Sequence, residues 1–141
     1  MSPGRASMTL RVPGTMDAIH PATVQAETWL AEQRVSFEAM YLVSLAIEEL
    51  VTNCIKYGYT DAKDHTIDFV LSVDGGTLRI EVIDDGNPFN PLEAPRPDLT
   101  LPPESRPIGG LGLHLLRELA DEMHYERRDG TNRLSVTKRM T

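Results

Sequence analysis

The sequence lacks an excess of positive charge, a second cysteine and any long apolar run. Its formal net charge is -7, so it has no overall basic character for binding DNA or RNA, and direct nucleic-acid binding is not expected. The single cysteine, Cys54, rules out an internal disulfide and is typical of a reducing compartment. No stretch approaches the roughly 20 apolar residues of a membrane-spanning helix, and "MSPGRASM" at the start has no signal-peptide core. We therefore expect a soluble cytoplasmic protein that does not contact a membrane.

The overall composition is that of an ordinary globular protein. The chain has 141 residues, of which 40% are hydrophobic and 25% are charged. That length suits one domain with its own core, so we expect a single domain over residues 1–141, with residues 1–7 disordered. The four histidines have no close metal-binding spacing, so a histidine-based metal centre is not expected.

Two helices are predicted in the first half of the chain, after a short strand at "MTLRVPG". The second helix begins after Ser36, a candidate N-cap, and runs to about Tyr57, with Gly58 as its natural end. The first helix covers residues 17–35, and its apolar positions near helical spacing are Ile19, Val24, Thr28, Ala31 and Val35.

Two antiparallel hairpins are predicted in the second half. "HTIDFVLSV" and "TLRIEVID" are joined at "DGG", and "MHYERR" and "RLSVTKR" are joined by "DGTN". A proline-rich loop and a helix over residues 111–123 separate the hairpins. The loop is too long for a plain connector, which favours a functional role. This order of elements predicts an α+β two-layer sandwich, with one mostly antiparallel mixed sheet and helices on one face.

The stretch "EELVTNCIKYGY" places polar side chains late in the second helix. At about 100° per residue, Glu49, Asn53 and Lys56 lie close to one line, whereas Glu48 points away from it. This line is either a solvent-exposed helix face or a site in which Asn53 offers Mg²⁺ an oxygen ligand and Glu49 acts as a base. The helix alone does not decide between them.

The stretch "TLRIEVIDDGNPF" places an aspartate on an apolar strand face. Strand alternation puts Leu78, Ile80, Val82 and Asp84 on the same side of the sheet. A carboxylate there is costly unless it finds a hydrogen-bond donor. Gly86 permits a sharp turn or the close approach of a ligand, so Asp84 either caps a local turn or binds a ligand.

The stretch "RPIGGLGLHLLREL" opens a helix with several glycines. Free N–H groups at a helix start favour phosphate. The stretch has neither the Gly-Lys-Ser/Thr of a Walker A loop nor the preceding strand of a dinucleotide fingerprint. The alternative is a loop end that packs closely against a helix.

In this order, the three motifs resemble those of the Bergerat-fold (GHKL-type) ATP-binding family, shared by gyrase-type, chaperone-type and histidine-kinase-type ATPases. "EELVTNCIKYGY" resembles its N box, "DDGNPF" its first glycine box and "GGLGL" its second. The small size and the "ExxxN…YGY" pattern most resemble the bacterial serine/threonine-protein kinases that act as anti-sigma factors. The resemblance covers about residues 8–139. The chain departs from it at Tyr57, where many relatives carry histidine.

The resemblance implies ATP and Mg²⁺ as cofactors and gives several residues a role. Asn53 would coordinate Mg²⁺, Glu49 would be the catalytic base, and Asp84 would bind the adenine amino group. Residues 92–108 would form the ATP lid. The remaining residues implied in cofactor binding are Gly86, Gly110, Leu111, Gly112, Lys56 and Arg106.

The activity implied by the resemblance is that of an ATP-dependent serine/threonine-protein kinase and anti-sigma factor. It would phosphorylate a small anti-sigma-factor antagonist, bind a sigma factor and form a homodimer. The alternative is a nucleotide-responsive regulatory binding module with little kinase activity. The presence of both Glu49 and Asn53 favours the kinase, because a binding module needs no base.

Overall fold

The computed structural model describes residues 5–58, 64–93, 100–102, 104 and 111–140. Its five strands form one sheet in the order β1-β2-β3-β5-β4, and every neighbouring pair is antiparallel. The predicted α+β sandwich is confirmed, although the sheet in the described residues contains no parallel pair. The strands are β1 (Ala6–Pro13), β2 (Thr66–Asp74), β3 (Thr77–Asp84), β4 (Glu122–Arg128) and β5 (Thr131–Arg139).

Within the described part of the chain, three α-helices cover one face of the sheet: α1 (Ile19–Glu32), α2 (Phe37–Asn53) and α3 (Leu111–Leu119). Short 3-10 turns precede α1 at Met16–Ala18 and follow the first glycine motif at Pro91–Glu93. The predicted N-cap is confirmed, because Ser36 Oγ accepts a hydrogen bond from the Ala39 N–H at 3.1 Å.

The predicted end of the second helix is only partly correct. The α-helix stops at Asn53, and Cys54–Gly58 continue it as a π-helical turn. A π turn is wider than an α turn and is frequent at functional sites, because it changes the direction in which side chains project. Lys56 and Tyr57 therefore lie on irregular backbone, directly after the regular helix that carries Glu49 and Asn53.

Three other sequence predictions need correction. The buried face of α1 consists of Ala22, Ala26 and Leu30, whereas Val24, predicted to be on the apolar face, is 47% exposed. The third helix ends at Leu119 rather than at residue 123, because residues 122–128 pair with β5. β1 begins at Ala6 and so includes the last two residues of the segment predicted to be disordered, while residues 1–4 lie outside the described part of the chain.

The core lies between the helices and one face of the sheet. Leu78, Ile80 and Val82 of β3 point into it, as the alternation predicts. The opposite face is polar and carries ion pairs between neighbouring strands, including Arg11 with Asp68 and Arg133 with Glu81. This one-sided burial gives each strand a fixed register, since a slip of one residue would expose its apolar side chains.

The last hairpin has a tighter turn than the sequence indicates. Asp129 and Gly130 have φ values of 51° and 74°, as the two central residues of a type I′ turn require. β5 therefore begins at Thr131, and Asn132 lies in the strand rather than in the turn. In this register Asn132 stands directly opposite Asp84 of β3.

No helix in the described ranges combines the length and the apolar character that crossing a bilayer requires.

Candidate functional site

A cleft lies between the end of α2 and the neighbouring ends of β3 and β5. Asn53 and Asp84, which the sequence analysis singled out separately, both line it. Its apolar walls come from both layers of the fold and from the segment after β3, and include Leu50, Val82, Leu134, Phe89 and Pro91. An apolar cleft with a few convergent polar groups is the usual form of a small-molecule site.

Asp84 ends the apolar face of β3 and is held there by the chain itself. Its Oδ1 accepts hydrogen bonds from the Gly86 N–H at 2.8 Å and from Asn132 Nδ2 at 3.0 Å. These donors offset the cost of placing a carboxylate on an apolar face. Its other oxygen, Oδ2, has no partner among the described residues and is left to accept a bond from a ligand.

The π turn after α2 is locked to the first glycine motif. The Asn87 N–H donates to the Gly58 carbonyl at 2.7 Å, and the rings of Tyr57 and Phe89 stack with their centroids 5.7 Å apart. A Cβ on Gly86 would lie 2.9 Å from the Gly58 oxygen, so this approach requires glycine at position 86. The same contacts hold Asn53 and Asp84 on opposite sides of one cleft.

Glu49 lies one turn before Asn53 and packs against the first turn of α3. A Cβ added to Gly112 would overlap the Glu49 carboxylate, so the absence of a side chain at 112 makes room for it. The second and third sequence motifs thus meet the first one in space. The glycine at 112 serves close packing here, which is the structural alternative that the sequence left open.

The pKa of Glu49 is raised above its ordinary value of 4.5. Burial is the largest cause, repulsion by Glu48 adds to it, and the charge of Lys56 opposes both. The side chain is half-buried, between exposed Glu48 and buried Leu50. A carboxylate with a raised pKa is a better proton acceptor near neutral pH than an ordinary surface glutamate.

Asn53 carries the clearest sign of a missing partner. Its Nδ2 atom is buried and makes no hydrogen bond within the described residues. Such groups are rare in folded proteins and call for a specific explanation, for which a ligand in the cleft is sufficient. The described residues contain no group of three or more His, Cys, Asp or Glu side chains able to hold a metal ion by themselves. The amide oxygen of Asn53 suits Mg²⁺ when phosphate and water supply most of the ligands.

The line of Glu49, Asn53 and Lys56 on α2 is not a fully solvent-exposed face, because Glu49 and Asn53 are half-buried. Leu45 and Ala46, which continue the line of Glu49 and Asn53 toward the helix start, are buried. Lys56 is exposed and influences Glu49 through its charge. Leu111, at the start of α3, is 43% exposed.

Two of the residues implied in cofactor binding, Arg106 and Gly110, lie outside the described residues, and so does most of the predicted lid. The structure describes Leu92 and Glu93 at its start, where the Leu92 carbonyl accepts a hydrogen bond from Arg117 Nη1 of α3 at 3.2 Å. The beginning of this segment is therefore tied to α3.

Sequence reasoning missed Asn132 and Tyr125, which also line the cleft. Asn132 is 6% exposed and shares the inward face of β5 with Leu134 and Val136. This pattern, a polar residue at the end of an apolar strand face, is the same one that identified Asp84. A four-residue turn at "DGTN" hides this signal, because it places Asn132 outside the strand, whereas the observed turn is centred on Asp129 and Gly130.

The chain matches the model of a protein family described as the histidine kinase-like ATPase domain over residues 12–138. It is similar to a serine/threonine-protein kinase, BtrW, of Bordetella bronchiseptica, with 26% identity over 92% of this chain and 91% of the relative. It is also similar to the serine-protein kinase RsbW of Listeria monocytogenes, with 26% identity over 82% of this chain and 76% of that protein. An anti-sigma F factor of a Thermoanaerobacter species is 29% identical over 65% of this chain and 64% of the relative.

A similar solved structure contains the RsbU and RsbW domains of a Mycobacterium tuberculosis protein. The TM-score is 0.66, and the match covers 96% of this chain but 32% of that longer one. At 23% identity this likeness shows the fold. It agrees with the antiparallel sheet and one-sided helices described above.

The close contact between the two motifs predicts the effect of a methyl group at residue 86. Gly86→Ala should lower the free energy of unfolding by about 1–3 kcal/mol, because the Gly58 carbonyl belongs to backbone that cannot move aside cheaply. Gly58→Ala is the matched control, since its Cβ would meet atoms no closer than 3.8 Å. Urea unfolding of both variants measures the difference, and equal stabilities would contradict the described packing.

The raised pKa of Glu49 predicts that its ionised form destabilises the fold. A carboxyl with a raised pKa favours folding while it is protonated, and this contribution is lost as the pH rises through the folded-state pKa. Glu49→Gln should therefore unfold at a higher temperature than the wild type at pH 8, and the difference should shrink toward pH 4.5. Glu32→Gln, at the exposed end of α1, should show no such gain. A wild type that is more stable than Glu49→Gln at pH 8 would contradict the assignment.

Proposed function

The chain belongs to the histidine kinase-like ATPase family, and we propose that it is an ATP-dependent serine/threonine-protein kinase that also acts as an anti-sigma factor. The single observation that carries the proposal is the cleft that Asn53 and Asp84 line together, with the raised-pKa carboxyl of Glu49 one helical turn away. Relatives named as serine/threonine-protein kinases and as an anti-sigma F factor support the two halves of this function.

Adenine binding is proposed for the deep end of the cleft. The free Oδ2 of Asp84 can accept a hydrogen bond from the exocyclic amino group of the base. Val82, Leu134 and Phe89 offer apolar surfaces of the kind that cover a purine ring. Gly86 supports this end indirectly, because its backbone N–H holds Asp84 Oδ1 and its lack of a side chain lets the Gly58 carbonyl approach.

The phosphates are proposed to extend from there toward Asn53, Lys56 and the start of α3. Asn53 would contribute its amide oxygen to Mg²⁺, which neutralises phosphate charge when it is bound. Lys56 is exposed beside Glu49 and could approach the phosphates without crossing the core. Gly112 leaves α3 close to Glu49, and the N–H groups of its first turn favour an anion. Arg106, Gly110 and the lid over residues 92–108 are further proposed parts of the phosphate end.

Glu49 is proposed to act as the general base. The hydroxyl oxygen of a serine or threonine in the acceptor protein would form the new bond to the γ-phosphorus, and the bond to the β,γ-bridging oxygen would break. ADP would leave, and the hydroxyl proton would pass to the Glu49 carboxylate. The raised pKa of Glu49 supports this role, because it brings the pKa of the base closer to the working pH.

The acceptor class is proposed to be a small anti-sigma-factor antagonist, and the regulated partner a sigma factor. These classes are consistent with the name of the similar anti-sigma F factor. A homodimer remains a prediction from the family resemblance.

Labelled phosphate transfer tests the proposed function. The protein is incubated with Mg-ATP labelled at the γ-phosphate and with candidate antagonist proteins. Glu49→Ala should bind ATP within about 3-fold of the wild type but transfer phosphate about 10²–10⁴-fold more slowly, since it lacks only the base. Asp84→Asn should bind ATP at least about 10-fold more weakly, because an amide replaces a charged acceptor.

The control for that experiment is Glu32→Ala, which removes an exposed carboxylate at the end of α1 and should transfer phosphate like the wild type. Undiminished transfer by Glu49→Ala would remove the catalytic assignment. A wild type that binds ATP but labels none of the antagonists would favour a nucleotide-responsive binding module. Failure of the wild type to bind ATP would overturn the proposed function.

A further inference from the structure

Asn132 is buried beside Asp84 in the cleft, and contacts within the protein use both of its amide hydrogens. Its Nδ2 donates to Asp84 Oδ1 at 3.0 Å and to the Asn87 carbonyl at 2.9 Å. Its Oδ1 accepts from the Tyr125 hydroxyl. An amide nitrogen has two hydrogens, so these contacts leave Asn132 no donor for a ligand.

The donor and acceptor of each hydrogen bond between Tyr125, Asn132 and Asp84 follow from which groups can donate. A carboxylate only accepts, so the amide NH₂ of Asn132 must face Asp84. The amide oxygen then faces Tyr125, whose hydroxyl must donate to it. A reversed amide would place two acceptors against each other at Asp84 and would lose the bond to the Asn87 carbonyl. Asp84 and the Asn87 carbonyl therefore set the orientation of the Asn132 amide. Tyr125 adds a hydrogen bond that holds the amide oxygen in that orientation, and Asn132 in turn holds Asp84.

The hydrogen-bonded residues Tyr125, Asn132 and Asp84 lie on three neighbouring strands, which hold them in place. Tyr125 and Asn132 belong to β4 and β5, which pair along their length, and Asn132 is opposite Asp84 in the β3–β5 register. The β4–β5 hairpin also contacts the segment directly after β3, because Arg127 Nη1 donates to the Gly86 carbonyl at 2.6 Å. Side chains on paired strands are held more firmly than side chains on loops.

We propose that Asn132 and Tyr125 are positioning residues that determine base specificity, because they hold Asp84 with only Oδ2 facing the base. The proposal rests on the proposed function, since it requires a nucleotide in the cleft. Asp84 Oδ1 already accepts from the Gly86 N–H and from Asn132 Nδ2, so rotation of the carboxylate would break two bonds. Oδ2 is thereby aimed at a donor on the ligand.

This arrangement selects a purine with an amino group at position 6. Adenine offers that donor to Oδ2. Guanine has a carbonyl there, which would face a carboxylate oxygen, and a site rejects a ligand that leaves its buried polar groups unpaired. A free asparagine could turn its amide to serve either base, but Asp84 and the Asn87 carbonyl only accept hydrogen bonds and so hold the amide of Asn132 in one orientation. The discrimination therefore depends on residues that need not touch the nucleotide.

Nucleotide selectivity tests the proposal on the full chain. Affinities are measured for ATP, GTP and purine riboside triphosphate, which is ATP without its 6-amino group. The wild type should bind ATP at least about 10-fold more tightly than the purine analogue, the effect of one hydrogen bond to a charged group. Asn132→Leu keeps the side-chain volume but removes the donor, and should reduce that ratio to below about 3-fold.

Tyr125→Phe is the second variant, and it decides the question if Asn132→Leu does not fold. It keeps the ring and removes only the hydroxyl that donates to the amide oxygen of Asn132, so that the amide is held less firmly against Asp84. The affinity ratio of ATP to the purine analogue should therefore fall at least about 2-fold. Ser135→Ala is the matched control, because Ser135 lies on the opposite face of β5 and should leave the ratio unchanged. Thermal unfolding of each variant separates loss of selectivity from loss of stability.

Each outcome of the selectivity measurement has a defined meaning. A ratio that falls in Asn132→Leu and Tyr125→Phe while Ser135→Ala keeps it supports the positioning role. Equal weakening of ATP and the purine analogue in the variants would show a merely structural role and overturn the proposal. An unchanged ratio would overturn it as well. If the wild type bound none of the nucleotides, the proposed function itself would fail.

Discussion

The Asp84 carboxylate, at the end of the apolar face of β3, is the group on which the rest of the site depends. Placing a carboxylate on such a face costs several kcal/mol unless donors surround it, and the chain supplies two, from Gly86 and Asn132. One donor requires the turn after β3, and the other requires β5 to pair with β3 in its observed register. The glycine motif and the last hairpin thus each provide one hydrogen-bond donor to the same carboxylate, which lines the cleft.

The other wall of the cleft depends on how α2 ends. Its change to a π turn at Cys54 brings the Gly58 carbonyl to the Asn87 N–H, at a distance that leaves no room for a side chain on Gly86. Asn53, just before the turn, keeps a buried amide nitrogen without a partner. Asp84 keeps one carboxylate oxygen and Asn53 keeps one amide nitrogen without a partner among the described residues. A phosphate oxygen of the proposed Mg-nucleotide would accept a hydrogen bond from that nitrogen, while the amide oxygen would face Mg²⁺.

Much of the fold and part of the site could be predicted from local patterns. Alternation placed Asp84 on the inward face of β3, and helical spacing aligned Glu49 with Asn53, because both depend only on neighbouring residues. The buried face of α1 could not be found in this way. Ala22 and Ala26 are buried by close helix packing, and alanine is also common on exposed helix faces, so its spacing does not identify the buried side. Asn132 was missed because its position follows from a two-residue turn and a long-range register. The raised pKa of Glu49 depends on burial, which no spacing in the sequence shows.

The proposed function requires Asp84 and Asn53 to bind the two ends of one Mg-nucleotide. A crystal structure of the protein with a non-hydrolysable ATP analogue and Mg²⁺ would show both contacts. We expect the adenine amino nitrogen about 3 Å from Asp84 Oδ2 and Mg²⁺ about 2.1 Å from the amide oxygen of Asn53. A nucleotide bound elsewhere, or one in the cleft whose base does not contact Asp84, would contradict it.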